Sequence, residues 1–168
     1  MITFYNTLTR TKMPLQPIHA GCVGLYTCGV TVYDYCHIGH ARTYATVDVI
    51  VRYLRARGYR VNYVRNITDI DDKIIKRAHE RGEPYATLTD RFINAMHDDF
   101  HALSFLPPDH EPRATTFIPS MIILIQRLLD AGYAYRAHNG DIYFEISRFP
   151  EYGAPTQAKC CCVRRNRQ

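Results

Sequence analysis

Apolar residues recur along the chain in two rhythms. Val23-Gly24-Leu25-Tyr26-Thr27-Cys28 is a short, nearly continuous apolar run after Gly21. That is the signature of a buried strand. From Gly39 to Arg57 the spacing changes to three and four. Ala41, Tyr44, Ala45, Val47, Val49, Ile50, Tyr53 and Leu54 form a helical stripe, and Gly58 follows as the stop. Tyr59 to Val64 then alternates, with Tyr59, Val61 and Tyr63 on one face of a second strand. Strand, loop, helix, strand is the order of a parallel pair joined by a right-handed crossover.

Asn66 to Asp72 is a polar turn. A helix is predicted from about Asp71 to Arg81, stopped by Gly82. Pro84 suits the first turn of another that runs to about Leu103. Pro107-Pro108 breaks the pattern. Phe117 to Ala131 is an apolar helix in which Pro119 is tolerated only near the start, and Gly132 ends it. Tyr133–Arg136 and Asp141–Glu145 flank Asn139-Gly140, a strong hairpin signal. No periodicity follows Tyr152-Gly153, and no internal repeat is visible. A body of residues 1–153 and an unstructured tail of 154–168 are therefore expected.

Composition sharpens this picture. With 168 residues and 46% hydrophobic content, one packed domain is the expectation, not a disordered chain. No stretch approaches the ~20 apolar residues that span a bilayer. The start, Met1-Ile2-Thr3-Phe4-Tyr5-Asn6, does not read as a signal peptide. A cytoplasmic α/β protein without membrane attachment is the expectation. The net charge of +5 is local: residues 159–168 hold four basic residues and no acid, leaving 17 against 16 elsewhere. Net charge thus gives little support for a nucleic-acid partner. Cys160, Cys161 and Cys162 share that basic tail; Cys22, Cys28 and Cys36 form no Cys-x-x-Cys pair. A disulfide framework is not expected, and buried thiols are the simpler reading.

Three places can carry chemistry. The first is Cys36-His37-Ile38-Gly39-His40-Ala41-Arg42, where the loop leaving the first strand enters its helix. Such turns bind ligands in α/β sheets, and helix N-termini attract phosphate. Gly39 permits close backbone approach. His37 and His40, three apart, can share one face and donate hydrogen bonds to developing charge; alternatively, His37 caps the helix and His40 is half-buried. The second is Asn66-Ile67-Thr68-Asp69-Ile70-Asp71-Asp72-Lys73, readable as helix capping or as a polar or divalent-metal site facing the first loop. The third is Cys28. Even with Cys36, His37 and His40 it does not make a complete local zinc site.

Together these residues carry a resemblance. Tyr26-Thr27-Cys28-Gly29-Val30-Thr31-Val32-Tyr33-Asp34 followed by His37-Ile38-Gly39-His40 resembles the first signature of class I aminoacyl-tRNA synthetases. With Tyr63-Val64-Arg65-Asn66-Ile67-Thr68-Asp69-Ile70-Asp71-Asp72-Lys73-Ile74 it resembles the cysteinyl-tRNA synthetase family specifically. Tyr5–Arg10 and Glu111-Pro112-Arg113-Ala114-Thr115 agree, over roughly residues 1–153. The resemblance implies an α/β fold: the first half of a class I synthetase Rossmann-type catalytic domain, with the start of its helical insertion from about Asp90. It implies a cysteine–tRNA ligase that activates cysteine with ATP and transfers it to tRNA(Cys). His37, Gly39 and His40 are then the ATP contacts, with His37 and His40 catalytic. Gly29, Thr31 and Thr68 surround the amino acid. Cys28 is one of four Zn²⁺ ligands, and the zinc selects cysteine through its thiolate.

The departures are equally definite. The family's second signature, K-M-S-K-S, occurs nowhere in the 168 residues, nor do the three downstream zinc ligands. An N-terminal fragment with an aberrant tail, inactive on its own, is the expectation. A related ATP-dependent cysteine ligase of thiol biosynthesis, a non-catalytic nucleotide- or tRNA-binding module, and a pseudogene product are the competing readings.

Overall fold

Ten regular elements follow one another in the computed structural model, which describes residues 1–152. In chain order they are β1 (Thr3–Asn6), β2 (Thr11–Pro14), β3 (Cys22–Thr27), α1 (Ile38–Ala56), β4 (Arg60–Arg65), α2 (Asp72–Arg81), α3 (Tyr85–Ala102), α4 (Ile118–Asp130), β5 (Ala134–Arg136) and β6 (Ile142–Phe144). Short 3₁₀ turns cover Ala114–Phe117 and Ile146–Arg148. The basic, cysteine-rich tail expected to be unstructured lies outside the described residues.

Pro17–Pro119 form one compact unit. Its frame is the parallel pair β3–β4, in register from Cys22 opposite Arg60 to Thr27 opposite Arg65. The apolar run and the alternation demand this pairing, and α1 is the crossover between the two strands. The alternation runs further than the strand itself. Val61, Tyr63, Arg65, Ile67 and Asp69 are buried, whereas the residues between them are partly or fully exposed. Beyond β4 lies a third chain segment. Asp109 N donates to Tyr63 O (2.8 Å), Arg65 N to His110 O (3.1 Å) and Ile67 N to Pro112 O (2.8 Å). β4 is therefore an interior strand, and its central place explains its burial.

The core of this unit gathers Val30 and Val32 from the loop after β3, Tyr44 of α1, Ile67, Ile74 of α2, and Leu88, Phe92, Ile93, Met96 and Phe100 of α3. These α3 residues recur at spacings of three and four, so one stripe is buried and the opposite face is solvated. The helix around Asp90 packs within this unit, whose boundary falls after Pro119. Asp71 caps α2 by accepting a hydrogen bond from Lys73 N (2.9 Å).

Arg65 is the exception in this core. Its side chain is only 4% exposed, and it donates from Nε (3.0 Å) and Nη2 (2.5 Å) to Glu111 Oε1. The guanidinium lies over the rings of Phe100 (4.8 Å) and Tyr44 (5.2 Å). Glu111 Oε2 meets His97 Nε2 at 2.7 Å. The cation is thus neutralised and stacked, as a buried charge must be.

Met1–Gln16 together with the described residues from Ser120 form the second unit. Within it β1 and β2 are an antiparallel hairpin, and β5 and β6 are another, with Tyr135 opposite Tyr143. The second hairpin follows the Asn139-Gly140 signal; the first carries no such signal in its sequence. Met121, Ile122, Ile123, Leu124 and Ile125 of α4 are all exposed in this chain.

Candidate functional site

The site is built on the ten residues between β3 and α1. After Thr27 the β3–β4 ladder is interrupted, because Gly29 and Asn66 face each other across a bulge. A Cβ on Gly29 would lie 1.4 Å from Asn66 O, so no other residue fits that approach. The Asn66 side chain fills the interruption. Its Oδ1 accepts from Gly29 N (2.8 Å) and from Tyr26 OH (2.9 Å), and its Nδ2 donates to Thr68 Oγ1 (3.3 Å). Pairing resumes beyond it: Thr31 bridges Thr68, with Thr68 N donating to Val30 O (3.1 Å) and Val32 N to Thr68 O (3.2 Å). Thr68 and Thr31 are thereby neighbours on adjacent chain segments.

Tyr44 fixes the start of this loop from α1. Its hydroxyl donates to Cys28 O at 2.8 Å, and burial raises its pKa to about 12, so it remains a donor at all ordinary pH. Cys28 itself is exposed. Cys36, at the other end of the loop, is half-buried. Burial, with a smaller push from Asp99, raises its thiol to about 11 and keeps it protonated and unreactive.

The two histidines meet at the entrance to α1. His37 is the N-cap, in extended backbone, and its Nδ1 accepts from Gly39 N (3.0 Å). His40 reaches back so that its Nδ1 accepts from His37 N (3.2 Å). The pair is a capping box made of imidazoles. The rings lie 4.1 Å apart, tilted by 35°. Gly39 makes this possible: a Cβ there would come within 2.7 Å of the His37 ring. The capping reading and the anion reading thus do not compete. Each Nδ1 accepts a hydrogen bond from the backbone, so these bonds assign the proton of a neutral ring to Nε2. Burial, and secondarily the neighbouring His37, lowers the pKa of His40, which favours that neutral tautomer.

His37 and His40 line a cavity of about 380 Å³ together with Gly29, Thr31, Tyr33 and Lys73. Gly39 is not among the lining residues; it lies against the His37 ring. Cys28 and Thr68 are adjacent to the lining residues in chain or ladder without being among them. Asp69 is not among the lining residues. Its carboxylate accepts from Thr115 N (2.9 Å) and Thr115 Oγ1 (2.5 Å) and anchors the 3₁₀ turn. The strand alternation puts it on the buried side. Asp71 is spent on the α2 cap. Within the polar cluster of 66–73, Asn66 thus fills the bulge, Asp69 is an anchor and Asp71 a cap. Among the described residues no group of three His, Cys, Asp or Glu side chains could hold a metal ion. None of the described helices is long and apolar enough to cross a membrane.

Sequence reasoning missed two positioning residues here. Tyr44 was read only as part of an apolar stripe. Asp34, whose Oδ2 pairs with Arg77 Nη2 of α2 at 2.8 Å, carried no sequence signal beyond its place in the loop.

A parallel strand pair with histidines capping the crossover helix is the arrangement of a class I aminoacyl-tRNA synthetase catalytic domain. Comparison with known proteins agrees. Residues 14–167 match the family described as tRNA synthetases class I (C) catalytic domain, and the chain belongs to that family. It is 60% identical over 153 residues to a cysteine–tRNA ligase of Halorhodospira halophila, covering 91% of this chain and 33% of that protein. A cysteine–tRNA ligase of Hahella chejuensis is 55% identical over 164 residues, 98% of this chain and 35% of that one. The chain thus spans about a third of the length of these relatives. Among solved structures, methionyl-tRNA synthetase of Mycobacterium tuberculosis in complex with methionyl-adenylate superposes with a TM-score of 0.63. It is 25% identical and covers 68% of this chain and 23% of that one.

Proposed function

We propose that the chain carries the nucleotide- and cysteine-binding part of a cysteine–tRNA ligase. In that reaction a cysteine carboxylate oxygen attacks the α-phosphorus of ATP and pyrophosphate leaves. A hydroxyl of the 3′-terminal ribose of tRNA(Cys) then takes the cysteinyl group from the adenylate as an ester, and AMP leaves. The observation that carries this reading is the imidazole capping box: both Nδ1 atoms are occupied by backbone, so both Nε2–H groups are donors available to the cavity. Donors fixed in this way stabilise the charge that builds on the phosphate oxygens. Gly29, Thr31 and Thr68 form the amino-acid side of the site in this reading, and Gly39 lets the phosphates approach the helix N-terminus. The reading carries with it a cytoplasmic location.

Zinc is the family's means of choosing cysteine, and Cys28 is the one residue here that would serve as a ligand. Its exposed thiol is free to bind metal, but one thiolate does not make a centre that normally needs three or four protein ligands. The described residues alone therefore do not fit zinc.

The test joins residues 1–153 to the remaining two-thirds of the Halorhodospira halophila ligase. The chimera is expected to catalyse cysteine-dependent ATP–pyrophosphate exchange and to charge tRNA(Cys). His40→Ala is expected to lower exchange by about 10²–10³. A soluble chimera without cysteine-dependent exchange refutes the reading. The 168-residue chain by itself, whose sequence has no K-M-S-K-S lysine, is expected to show no exchange. Turnover within tenfold of the chimera would overturn that expectation.

A further inference from the structure

We propose that Lys73 is a phosphate ligand of the cavity, adding a positive charge beside the two imidazoles. The inference rests on the nucleotide reading above and adds a residue to it. Lys73 occupies the first turn of α2, immediately after Asp72 and two residues past the Asp71 cap. A helix dipole disfavours a cation at that end. Further along the same helix Lys76 and Arg77 each have a carboxylate within 4.0 Å. Lys73 has no ion-pair partner among the described residues, and its side chain is exposed. Its ammonium lies 5.8 Å from the centre of the Tyr33 ring, and both side chains line the cavity that His37 and His40 enter.

A lysine that worked only for stability would gain more at the other end of α2 or beside an acid. This one stands where local rules disfavour it and where a polyanion would be held. Such violations concentrate at functional positions. The chemistry also requires a cation. Nε2–H groups of neutral imidazoles donate hydrogen bonds but bring no net charge, whereas a triphosphate brings three to four negative ones. Asp34 on the same wall adds a further negative charge, partly offset by Arg77 at 2.8 Å. Lys73 is the only Lys or Arg among the residues lining this cavity. The ion pair of Asp34 with Arg77 ties the loop to α2, so the ammonium and the imidazoles are held on one frame.

The experiment measures binding of ATP and of adenosine to the 168-residue chain by ligand-observed NMR or calorimetry. The variants are Lys73→Met and Lys73→Arg, with thermal unfolding as a check on folding. Lys73→Met is expected to weaken ATP roughly tenfold and to leave adenosine unchanged. Lys73→Arg is expected to restore most of the ATP affinity. The wild-type preference for ATP over adenosine should shrink as NaCl rises from 50 to 300 mM, and the Met variant should show a flatter dependence. Equal ATP affinity in wild type and Lys73→Met overturns the assignment while leaving the nucleotide reading intact. Parallel loss of ATP and adenosine makes the role structural and also overturns it. A wild-type chain that binds neither ligand overturns the nucleotide reading itself and the inference with it.

Discussion

Replacing Gly29 by Ala tests the framework of the site directly. The added methyl carbon would lie 1.4 Å from Asn66 O and 2.4 Å from Asn66 C, both backbone atoms of the neighbouring segment. Ordinary contact needs about 3.4 Å, so the two segments must part by roughly 2 Å. That separation breaks the hydrogen bond from Gly29 N to Asn66 Oδ1 and strains the pairing of Thr31 with Thr68 just beyond. Overpacking of this kind costs about 1–3 kcal/mol, and each net hydrogen bond lost adds about 1 kcal/mol. A destabilisation of roughly 3 kcal/mol follows, a large part of the ~5–15 kcal/mol of a typical domain. With a urea slope of about 2 kcal/mol/M, the midpoint should fall by about 1.5 M. Gly24→Ala is the control, because a Cβ there meets nothing within 4 Å and the strand backbone accepts it. Urea unfolding followed by far-UV circular dichroism reads both. Equal midpoints for the two variants would refute the close-approach argument.

Glu111→Ala leaves Arg65 buried without its carboxylate and is expected to destabilise by about 3–5 kcal/mol in the same assay. The double variant Arg65→Met/Glu111→Leu should recover a substantial part of that loss. Stability should also depend on His40. Its folded pKa lies below the ordinary 6.5, so the unfolded chain takes up the proton first as pH falls. The contribution is therefore fully present above about pH 6.5 and is lost as pH falls through the folded value. Urea midpoints measured from pH 7.5 to 5 should decline more steeply for wild type than for His40→Gln; identical slopes would contradict the burial argument.

The parts of the fold that follow from local rules were legible. β3 and β4 lie within one residue of the apolar run and the alternating run. Each of the four helices ends within a residue or two of its expected bounds, because glycine stops and proline starts act over a single turn. The segment at 109–113 was not legible. Pro107, Pro108 and Pro112 make it look like a loop, yet it pairs with β4 and its extension, donating from Asp109 N to Tyr63 O and accepting from Arg65 N and Ile67 N. Arg65 was equally hidden. Nothing in its neighbours announces that Glu111, 46 residues away, will cancel its charge. At the site the histidine spacing brings both rings to one face, whereas the roles of the three acids at 69–72 cannot be read from their spacing. Asp69 and Asp71 serve Thr115 and the α2 cap, and only long-range packing decides that for Asp69.

The imidazole capping box also bears on the thermodynamics of ligand capture. A side chain frozen at a binding site ordinarily costs about 0.5–1.5 kcal/mol of rotamer freedom at the moment of association. Here that entropy is surrendered when α1 forms, since the backbone amides of His37 and Gly39 already hold both rings. The anion then meets donors that are aimed before it arrives. Gly39 is a partner in this economy of motion, because the missing methyl is what lets the His37 ring settle over its own helix. Any side chain at that position would turn a rigid pair of donors into a mobile one, and association would carry the ordering cost that folding now bears.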